Sequence, residues 1–419
     1  MLINIKVIAA ALLPTCFLLA ACGSGGSSDS GTSSRYVPET VSEAGVKDNY
    51  VNMARAAYGD SLSTALALRE QAIVFIDNPT DANLQLAQAA YKAARIPYQQ
   101  SEIMRWDTAI TLANNLDFDG GPASVDEWEG QVNAWPLDES YIDSIIAGEE
   151  DINIALLVSQ NGADENEANV TTGVHAIEFM LWGADTNGTG PGAGERPASD
   201  YANDGSCADA HCARRALYLK TAADLLVADL TAMADEWSED AEITQGTLAY
   251  NFINSAQGLD YILGSMRAMA TDELASARMS SGLVLGDPEE EHDCFSDLSH
   301  IAIYNNFRGV QNAFYGTYGD IEGESLADMV ADKDRATFDN MAAALNSIES
   351  KMQQILDAGE RPLNPIRFDQ IIGQAQGATE REIAEAAVDE LLALDSNLHA
   401  IQELLSLVEI GTGGGGDSN

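Results

Sequence analysis

The sequence predicts an all-α protein built as two helical-bundle halves. Three observations lead there. Apolar residues recur at helical spacing over one long segment after another, and no period-2 run between hairpin turns is sustained. The helical segments also come as two successive sets of about four, divided at Ser238-Glu239-Asp240-Ala241-Glu242. Two packed bundles, 45–238 and 239–410, follow from that spacing; an internal duplication would explain it, although no exact repeat is visible.

The chain opens with a leader. Residues 1–21 carry Lys6 and then an apolar run from Val7 to Ala21, short for a bilayer span and interrupted by Pro14, which is the plan of a signal peptide. Leu19-Ala20-Ala21-Cys22 reads as a lipoprotein cleavage box, leaving Cys22 as a lipid-bearing N-terminus that attaches the chain to a membrane. An ordinary secretory signal with a chance cysteine is the alternative. Residues 22–44 then hold the lipidated cysteine and a flexible Gly- and Ser-rich tether. Gly23, where an aspartate would stand in inner-membrane lipoproteins, resembles the outer-membrane class.

Beyond the tether, residues 47–76 and 81–106 read as two helices joined by the turn Asp77-Asn78-Pro79-Thr80. Thr80 is the expected N-cap, and so short a connection implies antiparallel neighbours. Pro97 predicts a kink in the second helix. Residues 114–136 form a loop with two Trp residues, too long to be an idle connector. A short, largely buried helix is expected over 173–182, closed by a glycine cap at Gly183. Gly173, without a side chain, would let another backbone or a ligand come close. A second Gly- and Pro-rich loop covers 184–205. Further helices are expected over 214–237, 247–278, 297–315, 335–356 and 379–410, and 411–419 reads as a disordered tail.

Composition narrows the partners. The 66 Asp and Glu against 21 Lys and Arg give a formal net charge of -45. Such a charge repels nucleic acid and attracts cations. The acids are spread along the chain, so most of them serve solubility. Of five cysteines, Cys16 lies in the leader and Cys22 is the lipid site. Cys207 and Cys212 are close neighbours in a loop and, in an oxidising compartment, form a disulfide; a zinc knuckle with His211 is the rival reading. Cys294 is left unpaired, either buried or reactive.

The candidate chemistry lies on the 173–182 helix. Positions i and i+3 share a helical face, which sets His175 beside Glu178. Imidazole and carboxylate suit iron, zinc or manganese, and Glu102 on a neighbouring helix is the most attractive third ligand. A core histidine hydrogen-bonded to a glutamate is the plainer alternative. The zinc-peptidase pattern H-x-x-E-H needs a second histidine where this chain has Phe179. The acidic stretch 287–297 could hold a hard cation, but its carboxylates better suit the start of a helix, with Ser296 or Asp297 as cap. His292 carries only a weak functional signal.

Gly173-Val174-His175-Ala176-Ile177-Glu178, followed by Phe179 and Leu181-Trp182-Gly183, resembles the G-x-H-x-x-E signature of the imelysin family of bacterial envelope proteins. The likeness continues in Ala94-Arg95-Ile96-Pro97-Tyr98 with Glu102 and in Asn133-Ala134-Trp135-Pro136-Leu137-Asp138-Glu139. It extends through Arg196-Pro197, Asp200-Tyr201 and Glu291-His292-Asp293-Cys294-Phe295-Ser296-Asp297, and so covers nearly all of the mature chain. It is greatest to the iron-regulated, lipoprotein-type members. The resemblance implies two bundle-like halves with the G-x-H-x-x-E helix facing a cleft between them, and an association with iron acquisition; the family's founding name comes from an insulin-cleaving peptidase. It makes His175 and Glu178 a metal pair with Glu102 as partner, and it lines the cleft with Gly173, Arg95, Tyr98, Trp135, Asp138 and Asp297. The expected function is that of an outer-membrane lipoprotein facing the periplasm. It would bind iron, free or chelated, and pass it to an uptake partner protein, with zinc as the alternative metal. A metallopeptidase and a metal-free structural or assembly partner are the other readings.

Overall fold

The computed structural model describes residues 40–105, 128–205, 207, 210–238 and 247–408, and among these the regular secondary structure is almost wholly helical. The leader, Cys22, most of the tether, residues 106–127, most of the 238–242 boundary and the tail lie outside the described residues.

Helix α1 (Glu43–Asp77) starts where the Ser42 side chain accepts a hydrogen bond from Gly45 N at 3.0 Å. Helix α2 (Asp81–Ser101) is capped by Thr80, as its sequence predicts, and packs along α1. Helix α1 buries Tyr50, Tyr58 and Phe75, and α2 buries Tyr91 and Tyr98. Pro97 lies inside α2, which ends at Ser101 and tightens into a 3-10 turn, Glu102–Met104. The turn matters because it moves Glu102 off the regular helical face.

Three short helices follow that the apolar period does not announce: α3 (Glu129–Val132), α4 (Glu139–Ala147) and α5 (Ile154–Gln160). Their starts are set by local polar chemistry instead. Asp138 caps α4 by accepting from Ser140 N and Tyr141 N, and Asn153 caps α5 through Leu156 N. Helix α6 (Gly173–Trp182) ends at Gly183, which holds φ 75°. It is buried from Gly173 through Leu181, against α2, α3 and α7 (Cys212–Glu236).

The segment expected as one helix over 247–278 is three. Helix α8 (Leu248–Asn254) stops at Ser255, α9 (Gly258–Arg267) resumes, and the chain then widens into a π-helix over Ala268–Ser280 before α10 (Ser281–Leu285). The wide turn brings Glu273 beside Arg278, five residues on, with Nε 2.6 Å from Oε1. Helix α11 (Ser299–Tyr315) begins later than expected. Its N-cap position is Leu298, without a side-chain capping bond, because Ser296 and Asp297 are used elsewhere.

A two-residue hairpin, Thr317–Tyr318 with Ile321–Glu322, is the sole strand pairing among the described residues. Helices α12 (Leu326–Lys333), α13 (Arg335–Gly359), α14 (Phe368–Gly373) and α15 (Thr379–Leu405) complete the chain. Helix α1 packs on α7, α2 on α11, α11 on α13 and α13 on α15. The first helical hairpin therefore sits between helices far apart in sequence, and the apolar core runs unbroken from Val46 to Leu405.

Candidate metal centre

Gly173 decides where α6 begins. Its φ is +79°, and a Cβ there would lie 2.4 Å from the carbonyl oxygen of Val132. Thr172 fixes the same junction by donating its hydroxyl to the Gln131 carbonyl at 2.8 Å. With the end of α3 pressed on the start of α6, the first turn of α6 is sealed from water.

His175 and Glu178 are both wholly buried, and His175 Nδ1 lies 3.0 Å from Glu178 Oε2. The other glutamate oxygen, Oε1, accepts from Ser296 N at 2.9 Å and from Ser296 Oγ at 2.5 Å. The imidazole ring is in edge contact with Trp135 (5.1 Å between centroids) and His292 (4.5 Å). Its second nitrogen, Nε2, is buried without a hydrogen-bond partner. A third carboxylate completes the group: Asp293 places an oxygen within 4.8 Å of donor atoms of both His175 and Glu178. Arg95 holds it, Nε to Oδ1 at 2.8 Å and Nη2 to Oδ2 at 3.2 Å.

The electrostatics follow from this packing. Burial, and then the neighbouring His292 and Arg95, push His175 well below its ordinary range, so the ring is neutral and keeps a lone pair. Burial, and then the Asp293 charge, raise Glu178 well above the usual carboxylate range, against the two Ser296 donors. For Asp293 burial works upward too, but the Arg95 guanidinium overrides it and holds the group below the carboxylate range. Burial thus disfavours charge on the imidazole and on Glu178, while Arg95 keeps charge on Asp293. His175, Glu178 and Asp293 are the residues that would hold a cation there, and a cation would supply the countercharge these buried groups lack.

Of the residues expected at this site, the structure brings together His175, Glu178, Gly173, Arg95 and Trp135. Glu102 is placed differently. Its Oε1 accepts from Arg278 Nη2 at 2.9 Å and Asn133 Nδ2 at 3.0 Å, and its Oε2 from Arg278 Nη1 at 3.0 Å and Asn306 Nδ2 at 2.6 Å. Glu102 is drawn to Arg278, and it is an Asp293 oxygen that lies with the donor atoms of His175 and Glu178. Tyr98 belongs to the Glu102 side, donating to Glu129 Oε2 at 3.0 Å. Asp138 is the cap of α4, and Asp297 lies in a separate carboxylate cluster with Glu291 and Asp369. Cys207 and Cys212 are joined in a disulfide, while Cys294 is buried and its thiol is pushed up by that burial.

Asp293, His292 and Ser296 are the residues that sequence reasoning underweighted, because a run of acids before a helix reads as capping. The signal was present in their neighbours. Cys294 and Phe295 between them are core residues, so this stretch passes through the interior and its polar side chains are buried with it.

Comparison with solved structures places the fold. An iron-regulated protein A precursor from Parabacteroides distasonis matches with a TM-score of 0.62 at 18% identity, over 86% of this chain and 94% of that one. An imelysin-like protein from Psychrobacter arcticum 273-4 matches with a TM-score of 0.58 at 14% identity, over 88% and 98%. No curated protein matches the chain. The profile of the imelysin family, peptidase M75, matches residues 54–398, and the chain belongs to that family.

Proposed function

We propose that this chain is an envelope lipoprotein that captures iron, free or chelated, for uptake, with His175, Glu178 and Asp293 supplying the donors. One observation carries the reading: a wholly buried imidazole with an unpartnered Nε2 stands in a group with two carboxylates, their donor atoms within 4.8 Å of one another. Burying such a nitrogen without a partner is costly, and a cation would relieve that cost. One nitrogen and two oxygen donors suit ferrous iron, with zinc as the natural competitor for the same set. Arg95 orients Asp293 and Ser296 orients Glu178, so the ligands are aimed before the metal arrives.

Two further features support the assignment. The net charge of -45 raises the local concentration of cations at the surface. A structural relative carries the description of an iron-regulated protein. In this reading lipid on Cys22 anchors the body to the outer membrane on its periplasmic side, and a partner protein receives the iron.

Calorimetric titration of ferrous and zinc ions into the chain lacking its leader tests the site. One equivalent should bind, with affinity reduced at least ~100-fold in His175→Ala and Glu178→Gln, since each removes a ligand. Glu102→Gln should change affinity less than threefold. A loss in Glu102→Gln equal to that in His175→Ala would return Glu102 to the ligand set. The absence of any high-affinity equivalent would end the metal reading of this helix. Chelator-sensitive cleavage of an unfolded protein in the same preparation would replace capture with an imelysin-type peptidase.

A further inference from the structure

The second carboxylate cluster is built unlike any other polar group described above. Glu291, Asp297 and Asp369 each offer an oxygen within 4.8 Å of the others, and none is more than 1% exposed. Glu291 and Asp297 come from the segment before α11, and Asp369 from the first turn of α14. Both oxygens of Glu291, both of Asp369 and Oδ1 of Asp297 are buried without a hydrogen-bond partner. The Ser299 hydroxyl and the Gln370 backbone N–H stand near Glu291 and Asp369 without a formed hydrogen bond, so five acceptors converge on few donors.

Such an arrangement is unstable by itself. Buried carboxylates need donors or countercharge, and like charges this close repel. Arg367 answers one of them, with Nη1 3.5 Å from Asp297 Oδ2 and 3.4 Å from the Ser296 carbonyl oxygen. Three carboxylates less one guanidinium leave a charge of two to be balanced. The donors are all oxygen, with neither imidazole nor thiolate among them, which selects a hard cation. Calcium takes six to eight oxygens at flexible geometry, whereas magnesium keeps several of its waters and suits a dry carboxylate nest less well. Arg367, which reaches Asp297, also lines a cavity of about 790 Å³ with Arg361, Leu363 and Gln370.

We propose that Glu291, Asp297 and Asp369 hold a hard divalent cation, calcium, in a site separate from the His175 centre. Its work is structural. It ties the segment that presents Asp293 and Ser296 to α14, and so fixes the wall of the first site from behind. The proposal does not depend on iron binding at His175.

The test is calcium calorimetry and thermal melting on the chelator-treated chain lacking its leader, with manganese as a paramagnetic stand-in read by electron spin resonance. Wild type and His175→Ala should both bind one equivalent of calcium and melt several degrees higher with it. Asp369→Asn and Glu291→Gln should weaken calcium and manganese at least ~100-fold and lose the thermal shift. Without metal, Asp369→Asn should melt at or above the wild type, which shows that the variant folds and that the lost binding is the site's own. The proposal is overturned if millimolar calcium and manganese neither bind nor shift the melt, in which case the cluster holds protons instead. It is also overturned if binding survives Asp369→Asn, which would assign it to surface acids, or disappears in His175→Ala, which would assign it to the first site.

Discussion

Glu102 and Glu178 are two carboxylates buried to the same degree, at 1% and 0% exposure, and their surroundings could hardly differ more. Glu102 meets a bidentate guanidinium and two asparagine amides, and Arg278 spends its remaining reach on Gln99, Glu273 and Asn306. Both oxygens of Glu102 have partners, and the network joins α2, α11 and the π-helix as one piece of structure. Around Glu178 the hydrogen bonds stop short: Ser296 and His175 Nδ1 are engaged, and Nε2 is left over. Burial and charge therefore do not separate a structural carboxylate from a functional one. Their partners do: a guanidinium and two amides for Glu102, and for Glu178 a serine and an imidazole whose second nitrogen is unpartnered.

The largest effect should come from breaking the finished network. Arg278→Met takes the hydrogen-bonding guanidinium from Glu102 and Glu273 and leaves them the longer Arg105 pairs at 4.0 and 3.5 Å, and denaturant unfolding should show a loss of about 3–5 kcal/mol. Ferrous affinity of the variant that remains folded should stay near wild type. An equal loss of affinity would mean that the two regions are one functional unit.

A medium effect should appear with pH in the metal-free chain. Asp297 is raised to about 8, by burial first and then by the Asp369 charge, and Asp369 to about 7, chiefly by burial. Both lie above the usual aspartate value of 3.8, so the folded chain holds protons that the unfolded chain has released. The stability these groups contribute is whole below pH ~4, falls as pH rises, and is gone above pH ~8. Melting temperature should decline over that window, and Asp369→Asn should flatten the decline. A slope unchanged in the variant would trace it to the general acidic charge instead.

The smallest effect belongs to Asp138, which the sequence placed at the cleft and the structure places at a helix start. Asp138→Ala removes the cap of α4 and should cost about 1 kcal/mol in an unfolding titration. Metal affinity should not move. A change in affinity there would show that α4 communicates with α6.

Much of this was legible in the chain. The long helices follow from apolar period and capping residues, and Thr80 and Gly183 act where the sequence put them. The pairing of His175 with Glu178 needed only the geometry of one helical turn. Local rules were enough there because the interacting residues are neighbours in sequence. They fell short over 247–285, where the π-helix depends on Arg278 reaching Glu102 on another element, and at Ser296, where a capping residue is drawn instead to Glu178.

By itself, then, the sequence determined an all-helical body in the imelysin family, the buried helix of the motif, and the two residues on its face. Each is written in spacing that any chain with this pattern must obey. Which carboxylate stands beside that pair was decided only in three dimensions. Glu102 and Asp293 are both acids near apolar segments, and nothing local tells them apart. Arg278 claims one and Arg95 claims the other, and those pairings span 176 and 198 residues of chain. A guanidinium aligned with a carboxylate in a dry interior settles where each charge can sit, and that alignment exists only once the helices have packed.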